Sequence, residues 1–167
     1  MTNRIQAICL VLAGVLAHPA WAAADRSVKG RYQIIEVERF TTAVGVDLPM
    51  NYEIELAGDL AHQLEKKAFQ HVLKPGEEPS GEAPALRLTG TVTEFQKGNR
   101  ALRYLSGFAG KTKIVAHIQV VDRDSGQLLF ETHADGKVVI GPFGGDSMGA
   151  TNGLAKEIAK KVHKYFF

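Results

Sequence analysis

The fold is decided by Ile114–Thr132, which reads IVAHIQVVDRDSGQLLFET. In its first half, apolar side chains occupy every second position, at Ile114, Ala116, Ile118 and Val120. A period of two is typical of a strand with one buried face. Asp122–Gly126 (DRDSG) has the composition of a tight turn, and Gln127–Thr132 (QLLFET) has that of a second strand. The segment therefore predicts an antiparallel β-hairpin.

Two more strands are predicted before the hairpin. Arg31–Thr42 is rich in β-branched and aromatic residues, and Leu86–Thr93 alternates apolar residues with arginine and threonine. Between them, Lys74–Pro84 (KPGEEPSGEAP) holds three prolines and two glycines, which predicts an exposed linker within one domain.

Two helices complete the predicted fold. Met50–Leu73 carries apolar residues at helical spacing, and a glycine-rich stretch, Gly141–Gly153, leads into a last helix with Leu154, Ile158 and Val162 on one stripe. The element order predicts an α+β two-layer sandwich, with a mixed sheet of about four strands and both helices on one face. The first connection is long enough for a crossover, which would place the first strand parallel to a neighbour.

Residues 1–24 have the three parts of a secretory signal peptide. Arg4 supplies the positive start, Ile8–Ala17 the apolar run, and HPAWAAA the small residues before cleavage. We favour cleavage before Asp25 over the alternative before Ala23. A membrane anchor is the other reading of this segment, but the run of about 10 apolar residues is short against the roughly 20 that a span needs. Residues 25–167 are then a single exported domain without a transmembrane span.

Cysteine and charge narrow the classes of function. Cys9 is the only cysteine and lies within the predicted signal peptide, so disulfides and cysteine chemistry are excluded from the mature chain. Removing Arg4 lowers the formal charge from +2 to about +1, with both signs well mixed. This balance predicts no nucleic-acid binding. We expect a periplasmic protein, or alternatively one secreted to the medium.

The glycine-rich segment Gly98–Gly110 (GNRALRYLSGFAG) is the candidate binding loop. It combines arginine and aromatic side chains, which recognition surfaces favour, with glycines that allow close approach. The candidate binding residues are Arg100, Arg103, Tyr104, Gly107, Phe108 and Gly110, with Phe143 in the second glycine-rich stretch. A GxxG tetrapeptide also lies here, but the helix pair of an RNA-binding domain is missing. The structural alternative is a long hairpin connection whose apolar residues pack back on the sheet.

A catalytic alternative comes from Gly145-Asp146-Ser147-Met148-Gly149, a GxSxG motif between a strand-like run and a helix. This is the local context of a nucleophile elbow. Only Glu157 and His163 follow Ser147 as partners, and their spacing of six points them apart on a helix. His62, His71, His117 and His133 could still supply a base through space. Ser147 as a helix cap is the structural alternative.

Histidines do not form a recognisable metal motif. His62 and His71 are nine apart on the predicted helix, and whether His117 and His133 face each other depends on the register of the hairpin. We therefore predict no metal site and no cofactor.

The segment GNRALRYLSGFAGKTKIVAHIQVVDRDSGQLLFE, followed by GPFGG and the final helix LAKEIAKKV, resembles a bacterial exported family known only as a domain of unknown function (number 4410). The resemblance implies a characteristic residue pattern, which here comprises Arg103, Gly107, Gly110, Asp122, Ser125, Gly126 and Glu131. Many members look like lipoproteins, whereas this chain lacks a lipid-modified cysteine at the end of its apolar run. The sequence thus predicts a non-catalytic envelope module that binds an envelope protein or a glycan, with a small serine hydrolase using Ser147 as the alternative.

Overall fold

The computed structural model describes residues 28–79, 81, 83–97, 112–137 and 149–167. Within these residues, six strands form one mixed sheet and two helices accompany it. The strands are β1 (Ile34–Val37), β2 (Thr41–Thr42), β3 (His71–Leu73), β4 (Ala85–Gln96), β5 (Lys113–Asp122) and β6 (Leu128–Lys137). The helices are α1 (Met50–Lys67) and α2 (Gly149–Phe166).

The strands follow the order β3-β1-β4-β5-β6, and β2 pairs with β4 beside this path. β1 is parallel to both β3 and β4, as the crossover connection predicted. β4, β5 and β6 form an antiparallel meander, so the predicted hairpin of β5 and β6 is confirmed. The result is the predicted α+β class.

The main apolar core lies between the helices and one face of the sheet. Alternate residues of β5, from Ile114 to Val120, are fully buried in it. α1 contributes Leu56, Leu60 and Leu64, and α2 contributes Leu154, Ile158 and Val162. The apolar residues that repeat every second position in β5 and at helical spacing in α1 and α2 therefore all face the same core. No helix within the described ranges is long and apolar enough to cross a membrane.

The prediction of about four strands was wrong, because two strands are too short to show a period. The predicted strand Arg31–Thr42 is divided into β1 and β2, which both pair with β4. The break lies at Phe40, whose buried ring occupies the space above Gly90. A side chain on Gly90 would collide with this ring, so the glycine makes room for an aromatic residue that turns in from a neighbouring segment.

The first helix was predicted to continue to Leu73, but it ends at Lys67. Ala68 leaves the helical backbone region, and the buried Phe69 turns into the core. The chain then forms β3, in which His71 pairs with Ile34 of β1. Helical spacing of apolar residues across this boundary was misleading, because three residues of strand cannot be told from a helix end by periodicity.

The two helices run in the same direction side by side. Thr151 in the first turn of α2 donates its hydroxyl to Asp59 Oδ2 of α1 at 2.8 Å. Just beyond the C-terminal ends of the two helices, the ring centroids of Phe69 and Phe167 are 5.4 Å apart. α2 also approaches the sheet closely at Gly136 of β6, where an added Cβ would meet the Ala150 carbonyl oxygen and Leu154.

We predict that Gly136→Ala lowers the free energy of unfolding by about 2 kcal/mol, because the new methyl group collides with the backbone of α2. Gly58→Ala is the matched control, since Gly58 lies in α1 with open space around its Cα. There the same change removes helix-interior glycine and should stabilise the protein by about 0.5–1 kcal/mol. Urea denaturation of both variants measures the difference. Equal effects would contradict close packing at Gly136.

Candidate functional site

The predicted binding residues Arg100, Arg103, Tyr104, Gly107, Phe108, Gly110 and Phe143 lie outside the described residues, as does Ser147. The structure shows where their segments attach. Gln96 ends β4, Lys113 begins β5 and Lys137 ends β6, and these three residues are paired across the sheet. Residues 98–111 and 138–148 are therefore attached to neighbouring strand ends. We refer to this edge of the sheet as the loop end.

The loop end is held by specific contacts. Lys113 Nζ lies 2.7 Å from Glu94 Oε2 across β4 and β5. The ring of Phe95 packs edge-on against Tyr52 in the first turn of α1, with 5.0 Å between centroids. Thr112, just before β5, is fully buried. The segments carrying the predicted binding residues are thus attached to a well-packed scaffold, which favours precise presentation of a binding surface.

Three residues of the family pattern build the turn between β5 and β6. Asp122 Oδ1 accepts hydrogen bonds from the Ser125 backbone N–H at 2.9 Å and from its hydroxyl at 2.8 Å. Gly126 has a φ of +68°, which favours glycine, and its N–H donates to the Asp122 carbonyl at 2.9 Å. These contacts give Asp122, Ser125 and Gly126 a structural role in the hairpin.

Asp122 also joins the turn to the start of the domain. Its Oδ2 accepts a hydrogen bond of 2.7 Å from the hydroxyl of the buried Tyr32. Burial alone would raise the pKa of Asp122, but hydrogen bonds from Ser125 and Tyr32 outweigh it and lower the pKa below the usual value. Burial and this acidic partner raise the pKa of Tyr32 to about 12. Both shifts correspond to a charged aspartate beside a neutral tyrosine at neutral pH.

Glu131, the last residue of the family pattern, lies on the sheet face opposite the helices, which we call the open face. His117 and His133 are directly opposite each other there, with ring centroids 4.7 Å apart, which settles the register that the sequence left open. Glu131 Oε1 lies 2.7 Å from His117 Nε2 and accepts a hydrogen bond from Gln119 Nε2 at 3.1 Å. The open face is therefore polar and internally bonded at this point.

A buried carboxylate that sequence reasoning missed lies at the edge of the open face. Glu36 of β1 is only 1% exposed. Its Oε1 accepts a hydrogen bond from the Gly76 N–H at 2.8 Å, and its Oε2 accepts one from Nε of Arg87 and one from Nε of Arg123, each at 3.0 Å. Arg123 also donates to Glu78 Oε2 at 3.1 Å. We call these five residues the Glu36 cluster.

The Glu36 cluster joins segments that are far apart in the chain. Glu36 belongs to β1, Arg87 to β4 and Arg123 to the hairpin turn, while Gly76 and Glu78 belong to the predicted linker. Burial by itself would raise the pKa of Glu36, but the hydrogen bonds from Gly76, Arg87 and Arg123 outweigh it and lower the pKa. A glutamate between apolar residues in IIEV was the available signal, since buried charges occur with partners.

The other histidines and acids offer little support for catalysis or metal binding. Among the described residues, no group of three His, Cys, Asp or Glu could hold a metal ion. His163 stacks on Phe167 in the last turn of α2, about 21 Å along the helix axis from Gly149. Glu157 lies 3.9 Å from both Lys160 and Lys161. This arrangement argues against Glu157 and His163 as partners of a nucleophile near the start of α2.

Together, the fold and the contacts define a small two-layer α+β domain with one open sheet face and two segments attached at one end. Residues 48–142 match the family described as Domain of unknown function (DUF4410). The chain belongs to this family. The matched range runs from just before α1 through β6, so it contains the whole meander. No curated protein matches the chain significantly in sequence.

Solved structures with the same fold share little sequence with this chain. The PelC dodecamer from Paraburkholderia phytofirmans superposes with a TM-score of 0.56 at 14% identity, covering 82% of this chain and 91% of that one. The hypothetical protein CT253 from Chlamydia trachomatis gives a TM-score of 0.53 at 14% identity, covering 80% and 97% of the respective chains. At this identity, the likeness shows the fold alone.

We predict that Glu36→Gln lowers the free energy of unfolding by about 3 kcal/mol, because it leaves two guanidinium groups beside a neutral amide. Glu38→Gln is the matched control. Glu38 lies 3.5 Å from Arg87 but is 32% exposed, so its loss should change stability by less than about 1 kcal/mol. Urea denaturation at neutral pH compares the two, and a Glu36 effect no larger than the control would contradict a stabilising cluster.

The pH dependence of the free energy of unfolding tests the role of Glu36 independently. A lowered pKa in the folded state stabilises the protein above the unfolded pKa, near 4.5 for glutamate, and this stabilisation is lost as the pH falls through the folded value. The free energy of unfolding should therefore fall below about pH 4.5 and fall less steeply in Glu36→Gln. Identical slopes in both proteins would show that Glu36 titrates normally.

Proposed function

We propose that this protein is an exported, non-catalytic module of the bacterial cell envelope that binds an envelope protein or a glycan. Its binding surface is formed by Arg100, Arg103, Tyr104 and Phe108, with Gly107 and Gly110 shaping the segment and Phe143 contributing from the second segment. Residues 1–24 direct export to the periplasm, and secretion to the medium is the alternative destination.

The observation that carries this proposal is the pairing of Gln96, Lys113 and Lys137 across three adjacent strands. Because of it, two glycine-rich segments that are about 40 residues apart in sequence are attached side by side. Binding residues are often carried by loops on a rigid scaffold. The remaining residues of the family pattern have structural partners in the turn and on the open face, which supports assigning recognition to Arg103 and its neighbours.

A small serine hydrolase using Ser147 is the second candidate. The motif around Ser147 supports it, whereas the position of His163 at the far end of α2 does not. Treatment with a fluorophosphonate, which reacts with activated serines, separates the two functions. We expect no labelling, and labelling that Ser147→Ala removes would establish the hydrolase.

For the binding function, we predict that Arg103→Ala abolishes capture of a partner while leaving the thermal unfolding temperature unchanged. The protein is expressed in its own envelope with a photo-crosslinking residue at position 102, and captured species are identified by mass spectrometry. Arg31→Ala is the matched control, because Arg31 is exposed and its neighbour Tyr32 contacts Asp122 at the opposite end of the sheet. This variant should retain capture.

The outcomes separate the roles of Arg103. Unchanged capture by Arg103→Ala would overturn the binding surface, and a marked loss of thermal stability would make Arg103 structural.

The intact mass of the same preparation identifies the first residue of the mature chain, for which we expect Asp25 rather than Ala23. Since a protein of the same fold forms a dodecamer, light scattering of the purified protein determines whether the captured partner is another copy of this chain.

A further inference from the structure

A groove of about 500 Å³ lies between the two helices, on the side away from the sheet. Gln63, Lys66 and Lys67 of α1 line one wall, and Gly153, Lys156, Glu157 and Lys160 of α2 line the other. Gly153 has no side chain and leaves room between the helices. Four ammonium groups and one carboxylate thus surround a single concave surface. We call it the basic groove.

Gln63 is the uncharged polar residue among the long side chains of the basic groove. Most of its surface is covered, since the residue is 8% exposed, and it lines the groove wall formed by α1. An amide carries two N–H donors and no charge. Gln63 can therefore donate hydrogen bonds to a ligand held in the groove.

Most of the positive charge of the groove is not neutralised by a neighbouring side chain. Lys66 and Lys67 occupy the last turn of α1 and interact favourably with its dipole. Lys156 and Lys160 lie in the middle of α2, where the dipole has little effect. They are four residues apart, so like charges face each other along the helix and destabilise it. Within the described part of the chain, Lys66, Lys67 and Lys156 have no ion-pair partner.

We propose that the basic groove binds a phosphate group carried by a small anionic ligand. Four ammonium groups act as point charges, which suit the several oxygens and the multiple negative charge of a phosphate. The Gln63 amide donates to the deepest phosphate oxygen. The groove is lined by residues of α1 and α2, whereas the proposed partner-binding surface is carried by residues 98–111 and 138–148, so the two proposals involve different residues.

The first test titrates the purified protein with inorganic phosphate at low ionic strength and follows backbone amide resonances by NMR. We expect saturable shifts at Gln63, Gly153 and Lys156 that sodium chloride at equal ionic strength does not produce. The double variant Lys67→Gln/Lys156→Gln should bind at least about tenfold more weakly. Lys29→Gln/Lys74→Gln removes the same charge from exposed positions outside the groove and should bind normally.

Gln63→Leu separates ligand binding from a structural role. If the amide serves the ligand, this variant weakens phosphate binding while its unfolding temperature stays the same or rises. A fall in unfolding temperature with unchanged binding would instead assign Gln63 to the fold and overturn its part in the site.

A second measurement identifies the source of the phosphate. Sedimentation with vesicles of phosphatidylglycerol and phosphatidylcholine, against phosphatidylcholine alone, tests a lipid headgroup. Groove-dependent binding to the anionic vesicles supports a lipid, and phosphate binding without vesicle binding supports a soluble phosphate ester. Absence of both interactions overturns the proposal. Equal losses in the groove variant and the charge-matched control would also overturn it, because they would reflect net charge alone.

Discussion

The register between β5 and β6 decides which side chains of the meander enter the core, because a shift of one residue would turn every side chain to the other face. The turn at Asp122, closed by its bonds to Ser125, and a β-bulge after Val120 together set this register. With the register set, Ile118 and Val120 lie under the helices and His117 lies on the open face. The positions of the strand ends, and therefore of the loop end, follow from the same pairing.

The charged residues of the protein divide into those that hold the fold and those that the fold leaves available. Glu36 is buried, and Arg87 and Arg123 reach its carboxylate from more exposed positions, so this cluster joins β1, β4 and the hairpin turn to the linker. The cluster is sensitive to the loss of these partners, since the buried carboxylate keeps its desolvation penalty. Lys66, Lys67 and Lys156 of the basic groove have no ion-pair partner among the described residues and lie at the surface, where an external anion can neutralise them. This difference between partnered and unpartnered charges is the physical reason for proposing that an anionic ligand binds to the helices.

Part of the candidate site could be predicted from the sequence and part could not. Arginine, aromatic residues and glycines within one segment indicated a recognition loop without any knowledge of the fold, and that assignment remains a proposal. Glu36 was missed because its partners Arg87 and Arg123 are 51 and 87 residues away. The basic groove was also missed, because Lys66 and Lys156 look like ordinary solvated lysines on two separate amphipathic helices. Their meeting depends on the parallel packing of α1 and α2.

By itself, the sequence determined the α+β class, the β5–β6 hairpin and the family, because alternation, helical spacing and turn composition are local properties of the chain. It could not determine the short strands β2 and β3, since two or three residues contain too little of a period to be recognised. Only the tertiary structure decided that Lys67 ends the first helix, that Phe40 fills the space above Gly90, and which charges are buried together. Each of these depends on contacts between residues distant in sequence, where the free energy of packing outweighs local preference.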